Sequence, residues 1–317
     1  MAITGLGTFV GFQVADRMVD LPKGPGIVGL DLRLPRRLEG RLRFHPVDLT
    51  DPTADSVVAE VLEKEQCDTV LHTAFFTDPH PDHEYAHELE VIGTLNVMNA
   101  CAAVGVERLV VMSTAQVYGA HSDNPSFITE DREPRPNREA HQLRDRAEAD
   151  GLVGLFADRH PEVTVTQLRP CWVVGPTIDS GVTRFFSRDR VTTLLGYDPL
   201  LQFLHEEDLL TAVGNALRLD APGVFNLAAP RVLPLSTLLR VAGRRPVPIP
   251  HPLLYSLASL AWLGSTGDPP AAFYEFLRFG WTVDTRRAKE ELEFEPLYST
   301  KEAWMSLVVS QRMRRYR

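Results

Sequence analysis

Two short stretches carry residue types whose spacing can do chemistry. The first is Gly5-Leu6-Gly7-Thr8-Phe9-Val10-Gly11, a glycine-rich turn between a short apolar run and an amphipathic one. Glycines there permit a tight turn and let a pyrophosphate reach backbone N–H groups at a helix N-terminus. Thr8 stands where G-x-G-x-x-G would place a glycine. Asp31, twenty residues past Gly11, is the acidic partner. A carboxylate there accepts both ribose hydroxyls and repels a 2′-phosphate, which favours NAD over NADP, although Arg33, Arg36 and Arg37 pull the other way. Asp48-Leu49 can cap an adenine, and the plainer alternative for Asp31 is a strand-end turn. The second stretch, His83-Glu84-Tyr85-Ala86-His87, fits the zinc pattern H-E-x-x-H, with Glu107 as a candidate third ligand. Glu107 falls in the link before a strand, and a solvated helix start accounts for His80, His83 and His87. No metal site is expected.

The elements that must position these residues follow from periodicity. Strands are expected at Ala2–Thr4, Gly26–Asp31, Leu42–Pro46, Thr69–Thr73, Arg108–Ser113 and Val163–Arg169. Helices are expected at Val10–Val19, Thr53–Glu65, Glu84–Val104 and Ala140–His160. Such alternation implies parallel βαβ units and an α/β fold: a Rossmann-like doubly wound parallel sheet with a smaller C-terminal substrate lobe. Residues 1–170 are expected to form the cofactor-binding domain, with 201–230 returning to it, and 171–200 and 231–317 to form the lobe. Only four residues precede Gly5, so either the first strand is clipped or the native start lies upstream. Pro246, Pro248, Pro250 and Pro252 read as an extended segment.

Composition narrows the function class. The 317 residues carry a net charge of −9, which argues against nucleic acid as a partner. Arg312, Arg314, Arg315 and Arg317 read as a solvated C-terminus. Cys67, Cys101 and Cys171 have no zinc-like or redox-like spacing, which suits a reducing cytoplasm. No signal peptide and no membrane span is expected; the apolar stretch Pro252 to Gly264 is too short. Its Leu253, Leu254, Leu257, Leu260, Ala261, Trp262 and Leu263 either close the lobe's core or suit it to a less polar ligand.

Several further motifs lie in order along the chain: Val70-Leu71-His72-Thr73-Ala74, Gly93-Thr94-Leu95-Asn96-Val97, Ser113-Thr114-Ala115-Gln116-Val117-Tyr118-Gly119, Leu168-Arg169-Pro170, Gly175-Pro176, His205-x-x-Asp208, Phe225-Asn226-Leu227 and Glu291-Leu292-Glu293-Phe294-Glu295-Pro296. With Thr4-Gly5-x-x-Thr8-x-x-Gly11 they resemble the extended short-chain dehydrogenase/reductase family, the NAD-dependent epimerase/dehydratase group. The resemblance implies an NAD-binding oxidoreductase or epimerase acting on a small molecule, paired as a homodimer through its two long helices. It implies cofactor contacts at Gly5, Thr8, Phe9, Val10, Gly11, Asp31, Leu32, Arg33, Asp48, Leu49, Thr73, Ala74, Phe75, Arg146 and Pro170. It implies substrate contacts at Phe76, Tyr118 and Trp172, and Thr114 as the hydroxyl that bonds the substrate oxygen.

The catalytic pair of that family, Y-x-x-x-K, is missing. Counting back from Arg169 sets Gln142 on the tyrosine, Arg146 on the lysine and Asp150 on the following acid; a register two residues earlier gives Ala140, Arg144 and Glu148. Neither glutamine nor arginine exchanges a proton near neutral pH. A solvent-facing Gln142 and an Arg146–Asp150 helix pair are the bland alternatives. Trp172 replaces the asparagine that nucleotide-sugar members carry, and Pro199-Leu200-Leu201-Gln202-Phe203 lacks their diphosphate-clamping arginine. The substrate is therefore expected to be a carbonyl or hydroxyl compound other than a nucleotide sugar. A catalytically inactive, cofactor-binding relative is the alternative, and a zinc hydrolase a remote one.

Overall fold

The structure, a computed structural model, describes residues 1–21, 24–263 and 270–315, with side chains omitted at 259–263 and 315. In chain order the cofactor-turn half runs β1 (Ala2–Thr4), α1 (Phe9–Met18), β2 (Val28–Asp31), β3 (Arg43–Pro46), α2 (Ala54–Lys64), β4 (Thr69–His72), α3 (His83–His87), a π-helical turn (Glu88–Ile92), α4 (Gly93–Val104), β5 (Arg108–Met112), α5 (His141–Arg159) and β6 (Thr164–Pro170). There follow β7 (Trp172–Val174), α6 (Gly181–Ser187), β8 (Arg190–Leu194), β9 (Leu200–Leu201), β10 (Phe203–His205), α7 (Glu206–Arg218) and β11 (Gly223–Leu227). The chain ends with β12 (Leu233–Pro234), α8 (Leu235–Ala242), β13 (Arg245–Ile249), α9 (His251–Leu263), α10 (Arg286–Glu291) and α11 (Thr300–Arg315).

Seven strands form one parallel sheet in the order β11-β6-β5-β4-β1-β2-β3. The order reverses between β1 and β4, where a doubly wound sheet opens a crevice at its carboxyl edge. Helices α2, α4 and α5 pack together, and α1 packs with α7. Strand β1 has three residues yet pairs on both sides, with β2 and with β4. Its Ala2 and Ile3 are wholly buried, so short length is offset by full burial.

The predicted strands and helices fall on these elements with shifted ends. One helix is not regular: the run expected from Glu84 to Val104 contains the π-helical turn at Glu88–Ile92. A π-turn inserts one extra residue per turn and rotates the helix face beyond it. Pro246 and Pro248 lie on β13, which pairs with β8 alone among the described residues, so the N–H groups they lack are not needed by a second neighbour. Pro252, however, is not extended: it occupies the first turn of α9, where a missing N–H is harmless.

On α9, Leu254 is buried while Leu253 and Leu257 are exposed; the side chains of Leu260, Ala261, Trp262 and Leu263, and all of Gly264, lie outside the described residues. Arg312 and Arg314 are exposed and donate to the carbonyls of Ala242 and Pro176, and Arg317 lies outside the described residues. The three cysteines are buried and unpaired. Among the described residues no helix is long and apolar enough to cross a membrane.

Candidate functional site

The turn after β1 is shaped by two close approaches. Gly5 adopts a φ of +77°, and a Cβ there would sit 2.6 Å from the Ala74 nitrogen; a Cβ on Gly11 would sit 2.2 Å from the Gly5 oxygen. Neither position admits a side chain. Thr8, the residue out of pattern, turns its hydroxyl into the protein. It donates to the Gly5 carbonyl at 2.8 Å, lies 3.0 Å from Thr73 Oγ1 and accepts from Gly11 N at 3.1 Å. Thr8 thus caps α1 through its third amide, and the amides of Phe9 and Val10 receive no cap. An α1 N-terminus with open amides is an anion site. Asp31 Oδ2 accepts from Gly7 N at 2.9 Å, which ties the end of β2 to the turn. Asp48 is exposed and accepts from Thr50, while the Leu49 side chain is buried. The turn therefore fits a dinucleotide despite its missing glycine. Leu32 and Arg33 are exposed beside Asp31.

A cleft of about 730 Å³ runs from Thr8, Phe9 and Val10, past Thr73, Phe75, Phe76, Ser113, Thr114, Gln142, Arg146 and Pro170, to Trp172 and the rings of Phe185, Phe273 and Phe276. Thr114 is half-buried in its lining; its hydroxyl accepts from Gln116 N at 3.2 Å and donates to the Pro170 carbonyl at 3.4 Å.

Gln142 and Arg146 of α5 line the cleft, as does Ala140 just before the helix, while Asp150 does not reach it. Arg146 and Asp150 are buried, whereas Arg144 and Glu148 of the other register are exposed. The helix pair Arg146–Asp150 does not form. Arg146 Nε and Nη2 instead donate to the two oxygens of Glu90 at 3.1 and 2.9 Å, and its guanidinium lies 4.1 Å from the Phe75 ring centroid. Gln142 Nε2 donates to the Phe76 carbonyl at 2.9 Å and to Glu90 Oε1 at 3.2 Å. Two acceptors on one side fix the amide orientation, so its oxygen faces away from them. Asp150 pairs with Arg169 and accepts from Ser113 Oγ at 2.6 Å.

Glu90 was not singled out by the sequence reading. It sits on the π-helical turn and is wholly buried. Its signal was the stripe Glu90, Thr94, Val97 and Cys101, a carboxylate on an otherwise inward helix face. Above it, His72 is enclosed between Thr4 Oγ1 at 2.7 Å and Thr94 Oγ1 at 3.0 Å, and burial, reinforced by the charge of Arg146, pushes its imidazole down to about 3.

One expected substrate residue and the zinc motif lie outside this arrangement. Tyr118 does not meet the cleft: its ring is 1% exposed, and its hydroxyl accepts from Arg169 at 2.7 Å and donates to Asn226 at 2.9 Å. Burial raises its phenol, against the opposing pull of Arg169. The zinc set does not assemble. His83 stacks on His141 at 4.7 Å, while His87 Nδ1 meets Asp145 at 3.1 Å. His87, Asp145 and Glu148 are the one group of converging ligand atoms among the described residues, without His83 or Glu107.

Residues 1–228 match the NAD-dependent epimerase/dehydratase family. An uncharacterized protein of Mycobacterium tuberculosis is 32% identical over 309 residues, covering 95% of this chain and 81% of its own length. An uncharacterized protein of Escherichia coli K12 is 25% identical over 280 residues, covering 82% and 81%. The fold is similar to that of UDP-glucose 4-epimerase from Thermotoga maritima, solved with UDP-glucose (TM-score 0.75, 19% identity, 99% and 98% of the two chains). It is also similar to dTDP-glucose 4,6-dehydratase from Bacillus anthracis, solved with NAD (TM-score 0.75, 14% identity, 99% and 97%).

Proposed function

The chain belongs to the NAD-dependent epimerase/dehydratase family, and on that premise we propose that it binds NAD and works as an oxidoreductase or epimerase on a carbonyl or hydroxyl compound that is not a nucleotide sugar. The observation that carries this reading is the meeting in one cleft of open α1 amides, Thr114, Gln142 and Arg146. The amides of Phe9 and Val10 would hold the pyrophosphate. Asp31 would take the adenosine ribose hydroxyls, with Leu32, Arg33, Asp48 and Leu49 around the adenosine. Arg146, with Thr73, Ala74, Phe75 and Pro170, would hold the nicotinamide end.

A bound nicotinamide supplies hydride exchange at carbon. The chain's own residues then set everything around the substrate oxygen. Thr114 donates to it. Gln142 offers a carbonyl oxygen that accepts a hydrogen bond from an alcohol but cannot take its proton. Arg146 supplies a guanidinium cation whose outward field is reduced by the Glu90 carboxylate. The proton is therefore exchanged with water or with a group of the substrate.

A second reading, a non-catalytic cofactor-binding relative, draws support from the inward-facing Gln142 amide, both of whose donors are engaged. NAD(H) fluorescence titration together with turnover on a panel of alcohols and ketones separates the two. Binding with turnover supports the enzyme, and binding without turnover the relative. Binding of neither NAD(H) nor NADP(H) sinks both. We also place the protein in the cytoplasm, in keeping with its free buried thiols, and as a dimer across α4 and α5, which light scattering on the purified protein tests.

A further inference from the structure

We propose that the ligand facing the cofactor turn is a neutral ketone or secondary alcohol with a large apolar body, buried by the lobe side of the cleft. This deepens the function proposed above and rests on it only for the identity of the reacting group. The body-binding wall stands on separate observations.

The far end of the cleft is a raft of rings. Phe273, half-exposed, stacks on Trp172 at 5.4 Å with an 18° tilt and meets Phe185 edge-on at 4.9 Å. Trp172 is in turn fixed by Trp281 at 4.9 Å and by Phe276 at 6.1 Å. Phe76, also in the lining, is half-exposed and stacks on His80 at 4.5 Å. Rings held by other rings have little rotamer freedom left to lose, so an apolar ligand meets a pre-ordered surface.

Two of the three arginines that line the cleft are matched by carboxylates, and the third, Arg188, lies over the Phe185 ring, 5.7 Å from its centroid. Arg146 is matched by Glu90. Arg184 is paired with Asp78 and, at 3.0 Å, with Asp179. Asp78 also accepts from Gly181 N at 2.5 Å, so it holds the α6 N-terminus as well. A diphosphate entering here would have to take Arg184 from two carboxylates while approaching Asp78 itself. A neutral body displaces no ion pair and buries apolar surface on both sides.

The test measures binding of named probes to the full chain, with and without NAD, by calorimetry: 2-butanone, 2-hexanone, 2-octanone and 2-decanone, then 2-acetylnaphthalene, with UDP and UDP-glucose as charged probes. About 0.8 kcal/mol per buried methylene corresponds to roughly three- to fourfold tighter binding per carbon. A rise of that order along the ketone series, with millimolar or weaker binding of UDP and UDP-glucose, is the expected result. The 2-acetylnaphthalene arm distinguishes an aryl from an alkyl body. Chain-length-independent affinity, or UDP or UDP-glucose binding more tightly than 2-decanone, overturns the proposal. Phe273→Ala should flatten the series while Phe273→Leu keeps it, and a thermal melt of each confirms folding. If Phe273→Ala does not fold, the slope in the native chain and in Phe273→Leu decides. A steep series in a protein that fails to bind NAD leaves this inference standing and removes the cofactor reading; NAD binding with a flat series does the reverse.

Discussion

Glu90 and Arg146, 56 residues apart in sequence, meet through two hydrogen bonds at 3.1 and 2.9 Å, with the carboxylate wholly buried. Helix α5 brings the cation and the π-helical turn brings the anion. Gln142 donates to the same two acceptors as Arg146, Glu90 and the Phe76 carbonyl. The three residues behave as one unit, and a change in one alters what the others present to the cleft.

Removing one member of a buried ion pair leaves an uncompensated charge, at about 3–5 kcal/mol, while replacing both by apolar residues of similar size is often neutral. Glu90→Ala should therefore lower stability by roughly 3–5 kcal/mol in urea unfolding. The double change Glu90→Leu with Arg146→Met should recover most of that loss. Additive single effects in the double-mutant cycle would mean that the two side chains are uncoupled in solution.

Asp31 joins the cofactor turn to the end of β2 through Gly7 N. Asp31→Ser removes a charged acceptor, worth ~1.5–3 kcal/mol, so NADH affinity should weaken by about ten- to a hundredfold. NADPH affinity should change little or improve, because the repulsion of a 2′-phosphate goes too. Equal losses for both cofactors in fluorescence titration would restrict Asp31 to shaping the turn.

Position 142 lacks a titrating group, so the native rate should show no ionisation belonging to it. Gln142→Tyr installs one beside the Arg146 cation, which lowers a phenol from its usual value near 10. The rate of this variant between pH 6 and 10 should acquire an ionisation that Gln142→Leu lacks. Gln142→Leu should still bind NAD but turn over more slowly; an unchanged rate would take this side chain out of the reaction.

His72 makes stability depend on pH. The Thr94 hydroxyl donates to the Glu90 carbonyl at 2.6 Å, so it accepts from His72 Nε2, and the enclosed imidazole is neutral. Burial and the nearby Arg146 hold its pKa at about 3, whereas an unfolded histidine takes up a proton near 6.5. Between those values the unfolded chain binds the extra proton, so stability is lost as pH falls through the window, by up to ~1.4 kcal/mol per unit. From pH 7 to pH 5 the native chain should lose ~2 kcal/mol more than His72→Gln, read from urea midpoints. Parallel pH curves for the two proteins would refute this.

Much of the architecture was legible before any coordinates. Alternating β-branched runs and amphipathic stretches placed β1 to β6 and α1, α2 and α5, because strand and helix periods are set by residues within a turn or two of each other. The departures were legible too: Thr8 in the glycine turn, Gln142 and Arg146 on the helix, Trp172 after Pro170. Partners were not. Arg146 had Asp150 one turn away on its own helix, yet Asp150 went to Arg169 and Arg146 to Glu90. His83 and His87, one helical turn apart, took separate partners on α5. Tyr118 followed a motif of the cleft wall but points to Asn226. Periodicity and spacing determined the fold class and the glycine turn, and the family resemblance set Gln142 against the expected tyrosine. Tertiary structure decided which charges neutralise each other and which rings face the cleft. Those outcomes depend on how helices and strands distant in sequence pack across the sheet, and local periodicity does not encode that packing.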